Sequence, residues 1–495
     1  MFYVIGLLIF LLLWYYFMPI YLEYRRHFVM TKNMAGPPTI PILGNALHFN
    51  CKNEEILGRV DQLCKKYGPS PFRFWLGPHL FIIISDPKHV EKVMTSSIFY
   101  RKFSKVYKFP AIVLGNALIT GNGPHLKAER KAIIPMLNLN FLAKSLGPLD
   151  THVNICIERL EKLVNKGTFN FIHECHPCYA DYVKEVILGS DERSQKTGIS
   201  PFDDAMIKGY EHMFARMFKF WQHFDFLYNL TPLKTQQDTL KHHIHTKGRE
   251  MIKEAYERFN NPVPGRFHAI IDDMVEFLEE NPGFFKHEDD FLCHILTLYA
   301  ASEDTLTIVT SFLVMCLGMN PECQQKVLTE IIEVFGKTPR DTTTEDLQKL
   351  PYLTMCIKET LRLFTIAPLI ARECSEDFQL DEYIIPQGCA VGVVMYTMHR
   401  DPQYWEKPND FYPEHFLPDA VSNRPTYCYM PFSFGARSCI GKLLANTAIK
   451  VFMVKLLQLF EIEADGDVST LKIKMDISIR PVHGCLVRLK KREWT

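Results

Sequence analysis

From residue 2 to residue 22 no side chain is charged, and leucine, isoleucine, phenylalanine and tyrosine dominate. As a helix rising about 1.5 Å per residue, this run spans roughly 30 Å, the hydrocarbon thickness of a bilayer. The pattern predicts a single-pass transmembrane helix, an N-terminal membrane anchor over 1–22. Glu23, Arg25, Arg26 and Lys32 follow it and no charged side chain precedes it, so the basic side is expected in the cytosol. A cleaved signal peptide is the competing reading, but the run is longer than a signal core and no small-residue cleavage site follows. Residues 23–44 read as a linker and proline-rich hinge. Its end, Ala35-Gly36-Pro37-Pro38-Thr39-Ile40-Pro41-Ile42-Leu43-Gly44, is held extended by its prolines and forms a stiff spacer.

Two short apolar runs, 71–76 and 80–85, flank Gly77-Pro78 and predict a β-hairpin. Asp86-Pro87 then supplies an N-cap and a first-turn proline for a helix over 88–95. Beyond about residue 120 helical spacing dominates, with no internal repeat. The segment 290–319 is long and apolar enough for a second span, yet Glu303 and Asp304 sit in its middle. Two carboxylates at bilayer depth are costly, so a helix buried through a soluble domain is expected. Gly318 and Asn320-Pro321 end it, and Pro321 starts another helix to Phe335. The fold class is mainly α with a smaller β portion, in one large domain over 45–495.

Composition narrows the function. Lys plus Arg and Asp plus Glu both count 56, so no nucleic-acid partner is expected. Fourteen cysteines lie scattered without a framework, as in a protein with reduced thiols facing the cytosol. Cys175-His176-Pro177-Cys178 has metal or redox spacing, and His242, His243 and His245 cluster. No second cysteine pair accompanies them, so packing is expected for the first and a solvated face for the second.

One cysteine stands apart by context. Phe432-Ser433-Phe434-Gly435-Ala436-Arg437-Ser438-Cys439-Ile440-Gly441 runs into an apolar helix expected over 440–457. Gly435 can take φ > 0 beneath a flat ligand, and Gly441 lets the helix approach closely. Phe432 can shield the sulfur, and free N–H groups at the helix start favour a thiolate at Cys439. Arg437 can reach an anionic edge of the ligand.

This decapeptide resembles the cysteine-ligand loop of the cytochrome P450 family of haem-thiolate monooxygenases, and the resemblance covers nearly the whole chain. It implies the cytochrome P450 fold, haem b (iron protoporphyrin IX) as cofactor, and Cys439 as axial ligand of the iron. Ala301-Ser302-Glu303-Asp304-Thr305 resembles the oxygen-activating segment, which implies that Asp304 and Thr305 deliver protons; Ser302 stands where the family has glycine. Ala301 occupies the place where some fatty-acid ω-hydroxylases carry a haem-esterifying glutamate, so that ester is excluded here. Arg130, Arg372 and Arg437 match propionate ligands, although Leu126 replaces the tryptophan that usually precedes Arg130. Glu359 and Arg362 match the family's buried Glu-x-x-Arg pair, and Pro413-Glu414-His415-Phe416 puts His415 where a third partner, normally arginine, belongs.

The resemblance implies insertion of one oxygen atom from O2 into a lipophilic substrate: a fatty acid, a terpenoid or steroid-like molecule, or a xenobiotic. Electrons would come from NADPH through NADPH-cytochrome P450 reductase, docking near Lys442, with cytochrome b5 as a second donor. The placement implied is the endoplasmic reticulum membrane with the catalytic domain on the cytosolic face. Around the cysteine the style is closest to the insect fatty-acid-hydroxylase-like clan. Two alternatives stay open: a haem-thiolate isomerase or dehydratase working without O2, and a non-catalytic haem-binding protein. For the substrate side, the aromatic and methionine run from Met213 and Phe214 through Met217, Phe218, Trp221, Phe224, Phe226 and Tyr228 divides between core and cavity lid. The loop 105–122, with Phe109, Ile112, Val113 and Leu114, is expected to form the opposite wall.

Overall fold

The computed structural model describes residues 2–494. Helix α1 (Phe2–Met30) carries the apolar run and continues past residue 22, because its last turns dock on the domain. The Arg26 guanidinium donates to both carboxylate oxygens of Asp377 at 2.6 and 2.8 Å, and buried His27 lies 2.8 Å from the Gln387 carbonyl. The proline-rich segment is non-helical, as its prolines require. It is not a free spacer: the Ala35 carbonyl accepts from Arg73 N–H at 2.8 Å, and Asn45 donates to the Pro38 carbonyl at 2.8 Å. Gly44 holds φ +59, and a Cβ there would meet Trp75 at 2.6 Å, so glycine lets this segment lie against the sheet.

The hairpin forms as expected, from β1 (Phe72–Leu76) and β2 (His79–Ile84) after helix α2 (Asn53–Tyr67). Asp86 caps the next helix, Pro87–Thr95, by accepting from Lys88 N–H at 2.8 Å. Two later strands, β3 (Leu369–Glu373) and β4 (Ala390–Val394), complete a sheet of order β1-β2-β4-β3. Strand β4 runs parallel to β2, pairing Phe81 with Ala390, and antiparallel to β3, pairing Arg372 with Val391.

Everything else is built around one helix. In chain order the helices used below are α3 (Pro124–Ile133), α4 (Leu139–Glu161), α5 (Phe171–Val183), α6 (Pro201–Phe218), α7 (Pro232–Asn260), α8 (Glu288–Met319), α9 (Pro321–Phe335), α10 (Pro351–Leu363) and α11 (Lys442–Leu459). The long apolar α8 crosses the interior against α5 and α11, as the mid-helix carboxylates predict. Phe312 of α8 stacks on Phe364 at 4.1 Å, both rings buried. Burial of each such ring contributes about 1.5–3 kcal/mol, and many of them make α8 the axis of the core. Along α8, residues 291–317 are buried except Ala301, Ser302 and Thr305. That break in an otherwise sealed helix marks where the interior opens.

Cys175 and Cys178 of α5 are fully buried. His242 and His243 are exposed, but His245 departs from the expected solvated face: it is buried, with Nε2 2.7 Å from the Val113 carbonyl. Ile244, Gly248, Met251 and Ala255, spaced three to four residues apart, form the buried stripe of α7, and His245 lies beside it.

Candidate active site

The cysteine loop is shaped by its backbone. Gly435 has φ +71, and a Cβ there would meet the Met94 carbonyl oxygen at 2.6 Å, so both conformation and space demand glycine. Cys439 N–H donates to the Phe432 carbonyl at 2.9 Å and closes the loop. Helix α11 begins at Lys442 with Gly441 as its cap, two residues later than the sequence pattern predicts. Gly441 has an ordinary φ of −85, and an added Cβ would meet only the Cys439 sulfur, at 3.9 Å. Its smallness serves the space beside the sulfur rather than helix packing. Partly buried Phe432 packs on the core beside the loop.

Of the fourteen cysteines, Cys439 is the one classed as exposed; eleven are buried and two intermediate, and all are free thiols. Burial nevertheless pushes its thiol above the usual range, and the Gly441 and Lys442 N–H groups with Arg130 pull it back incompletely. The expected thiolate is thus not made by the helix start alone. A coordinating metal deprotonates a thiol outright, which is what this sulfur requires.

Four cations converge near the loop. Arg372 on β3 is 2% exposed, donates to Ser433 Oγ at 3.3 Å, and leaves Nη1 buried without a partner. Buried Arg437 donates to the Gly121 carbonyl at 3.0 Å and the Leu118 carbonyl at 3.3 Å. Arg130 on α3 donates to the Ser438 carbonyl. Lys102 completes the group; the sequence offers no signal for it, because it is one of many lysines until the fold buries it. Burial, then the charges of Arg372, Arg437 and Arg130, hold the Lys102 ammonium well below its usual pKa. Burial also lowers Arg437 to about 10. Among the described residues none of the four pairs with a carboxylate. Buried unpaired cations are costly, so the cluster is built for an anionic ligand. A porphyrin bearing two carboxylates, with iron within reach of an accessible thiol, fits this donor set.

On α8 the two carboxylates take different partners. Asp304 accepts from Ser478 Oγ at 2.6 Å and from the Arg480 guanidinium. Thr305 Oγ donates back to the Ala301 carbonyl at 2.7 Å, with half-buried Ser302 beside it. Ala301, Asp304 and Thr305 line a cavity of about 370 Å³. Its other walls are mostly apolar: Phe72, Phe74, Phe81 and Ile83 of the hairpin, Ile366 to Ala371, and Met475 with Ile477. From the aromatic run, Met213, Phe214, Met217 and Phe218 reach the cavity. Trp221, Phe224 and Phe226 are exposed instead, and buried Tyr228 lies 3.6 Å under the Arg216 guanidinium. The loop 105–122 forms the opposite wall through Val106, Tyr107, Pro110, Leu114 and Ile119, whereas Phe109, Ile112 and Val113 pack behind it. Phe109 instead lies 4.9 Å from the Arg216 guanidinium.

The Glu-x-x-Arg pair sits in a buried polar cluster. Glu359 and Arg362 of α10 are fully buried and joined by two hydrogen bonds of 2.7 and 2.8 Å. Arg362 also donates to the carbonyls of His399 and Pro408 at 2.7 Å and of Asp410 at 3.0 Å. His415 Nδ1 lies 3.2 Å from Glu359, and Tyr412 N–H donates to the same carboxylate at 2.9 Å. Arg424, which the motif does not include, donates to the His415 carbonyl at 2.6 Å and lies 4.0 Å over the Trp405 ring.

An accessible thiol in a glycine-turned loop, a buried cationic cradle and a central helix opened at one turn define a haem-thiolate enzyme. The chain belongs to the cytochrome P450 family: the model of that family, described as Cytochrome P450, matches residues 34–486. Among curated proteins it is 32% identical to Cytochrome P450 4V2 of Rattus norvegicus over 467 residues, covering 91% of this chain and 88% of that protein. It is 30% identical to Cytochrome P450 4V2 of Homo sapiens, covering 93% and 91%. It is also 28% identical to Probable cytochrome P450 4aa1 of Drosophila melanogaster, covering 95% and 92%. The protein is a haem-dependent monooxygenase of lipophilic substrates. Neither alternative, the isomerase or dehydratase and the non-catalytic haem protein, is favoured.

Proposed function

We propose that Cys439 ligates the haem iron and that Arg130, Arg372, Arg437 and Lys102 hold the propionates, with Phe432, Gly435 and Gly441 shaping the space around the sulfur. The bound haem supplies oxygen activation, for which a thiolate ligand pushes electron density toward the O–O bond. This chain's own residues do the rest. Glu359, Arg362 and His415 keep the loop in place, the apolar cavity excludes water and orients a lipophilic substrate, and Asp304 and Thr305 move protons at the opened turn of α8. The observation that carries this assignment is the pairing of the one exposed cysteine with four cations, three of them buried and Arg130 half-buried, that lack carboxylate partners.

Residues 1–22 serve as the membrane anchor, 23–44 as the linker and 45–495 as the catalytic domain. Supporting this, Leu11, Trp14, Tyr15, Tyr21 and Leu22 of α1 are exposed. Trp221, Phe226, Leu227 and Leu230, exposed between α6 and α7, give the cavity's lid an apolar outer face for the same bilayer. The location is the endoplasmic reticulum with the domain in the cytosol. NADPH-cytochrome P450 reductase supplies electrons at the face bearing exposed Lys442, and cytochrome b5 is a second donor.

NADPH- and reductase-dependent oxygen uptake with a lipid panel tests the assignment; no uptake with any lipid refutes it. Thr305→Ala is expected to keep oxygen uptake while product per oxygen drops on the order of a hundredfold, the low end for losing a proton-transfer group. Unchanged coupling removes Thr305 from the mechanism. Lys102→Met is expected to release haem to an acceptor protein about tenfold faster, matching roughly 1.5 kcal/mol for one hydrogen bond to a charged group. The same change relieves repulsion among the cations, so the haem-free protein should melt no lower than wild type.

A further inference from the structure

Asp304 is not the only buried carboxylate at the opened turn. Its neighbour Glu303 is 2% exposed and does not line the cavity. One of its oxygens meets His176 Nε2 of α5, and the other accepts from Tyr210 of α6 at 3.2 Å. The His176 side chain is 12% accessible, and Tyr210 lines the substrate cavity. The three side chains therefore form an unbroken hydrogen-bonded line from an accessible imidazole, through a carboxylate sealed from cavity and solvent, to a hydroxyl at the cavity wall.

The two adjacent acids differ in what their partners can do. Asp304 is bound by a guanidinium, which gives up no proton near neutral pH. Glu303 is bound by an imidazole, the side chain that exchanges protons there most readily. We propose that His176, Glu303 and Tyr210 form a proton path that carries protons from solvent into the substrate cavity. This deepens the monooxygenase assignment and rests on it.

In the transfer, His176 gives its Nε2 proton to the Glu303 carboxylate. The carboxyl turns that proton toward Tyr210, whose own hydroxyl proton passes to an oxygen acceptor in the cavity. One N–H bond breaks at His176, one O–H bond forms at the acceptor, solvent reprotonates the imidazole, and no electron moves. Burial makes a free Tyr210 phenolate unfavourable, so the last two movements are concerted. Burial opposes charging of His176, but Glu303 outweighs it and the imidazole is held above its usual pKa; burial raises Glu303 as well. The charged and titratable groups facing the pair are Asp203 and Tyr210 of α6, Tyr299 and Asp304 of α8, and Arg480 near the C-terminus.

The test uses the full chain with reductase and compares His176→Gln, Glu303→Gln and Tyr210→Phe with wild type. Dodecanoic acid and dodecan-1-ol are the probes, and the carbon monoxide spectrum of each reduced variant checks that the haem site is intact. Each variant is expected to lose product per oxygen consumed by on the order of tenfold, less than for a direct general acid because Asp304 remains. Peroxide should account for the missing product. Wild-type coupling should fall as pH rises through the titration of the imidazole, and His176→Gln should lack that dependence. Independently of turnover, infrared spectra should show a neutral carboxyl band that grows on acidification, shifts in D2O and is missing in Glu303→Gln. Unchanged coupling and pH profile in all three variants, or absence of that band in wild type, overturns the path. Failure of wild type to take up oxygen with these probes and with every other lipid of the panel overturns the monooxygenase assignment instead, and the infrared band still decides whether Glu303 exchanges protons.

Discussion

Cys439→Ser is expected to abolish the red-displaced Soret maximum of the reduced, carbon-monoxide-treated protein and to reduce oxygen-dependent product by on the order of a thousandfold, about 4 kcal/mol of barrier. The size follows from what serine keeps and loses. The replacement is nearly isosteric at a position where the side chain is open rather than packed, so the core is undisturbed. The Cys439 N–H bond to the Phe432 carbonyl belongs to the backbone and survives, and Gly435 still sets the loop's turn. What disappears is a sulfur ligand able to donate charge to iron. Secondary structure and the melting temperature of the haem-free protein should match wild type. A variant that retains the displaced Soret band would show that another group ligates the iron. The remaining thiols are poor substitutes: burial raises Cys316 and Cys356 well above the usual range, and Cys485 likewise.

Arg362→Met should be the most destabilising single change outside the loop, costing about 3–5 kcal/mol because it leaves Glu359 buried without its main partner. That is a large part of the roughly 5–15 kcal/mol that separates folded from unfolded states. The loss extends further, since the carbonyls of His399, Pro408 and Asp410 lose their donor together and the segment beneath the cysteine loop loosens. Soret bleaching should therefore precede loss of helix signal on heating. The pair of changes Glu359→Leu with Arg362→Met removes both charges and should recover part of the stability. Melting of Arg362→Met within about 1 kcal/mol of wild type, inside the range of exposed ion pairs, would refute a structural lock.

The same cluster sets an acid limit. Burial works against ionisation of Glu359, but Arg362 and His415 outweigh it and hold its carboxyl below the usual range. A carboxyl depressed in the folded state stabilises the fold at pH values above its unfolded pKa, near 4.3. That stability is lost as pH falls through the lower folded value.

Much of this architecture is legible in the chain because local rules and burial agree. Asp86-Pro87 caps a helix, Gly77 takes φ +59 in the hairpin turn, and Asn320-Pro321 separates α8 from α9, each by chemistry confined to a few residues. Glu359 and Arg362 are three apart on one helix, so their meeting needs no tertiary information; that they lie in the core, bound to three carbonyls, does. The ends of elements shift where a tertiary contact extends or delays a helix. Helix α1 grows to Met30 because Asp377 and Gln387 receive it, and α11 starts at Lys442 because the loop closes at Cys439 first.

The partners of the acids on α8 were beyond reach of pattern. Ser478 and Arg480 are more than 170 residues from Asp304, at |i−j| of 174 and 176, and His176 meets Glu303 across 127. No periodicity encodes such distances. Lys102 joins the cation cluster by the same kind of long-range packing, beside Arg372 across a bridge between the two segments.

By itself the sequence determined the family, the glycine-turned cysteine loop, the long apolar helix with its paired acids, and the pairing of Glu359 with Arg362, because each is written in adjacent or one-turn spacing. Tertiary structure alone decided which side chains are sealed and which are left open. It exposed one thiol of fourteen, gathered four cations without carboxylates and buried three of them, and gave two neighbouring acids opposite partners, a guanidinium and an imidazole. The physical reason is that burial and electrostatic pairing are properties of three-dimensional neighbours, and these set charge, proton supply and ligand fit.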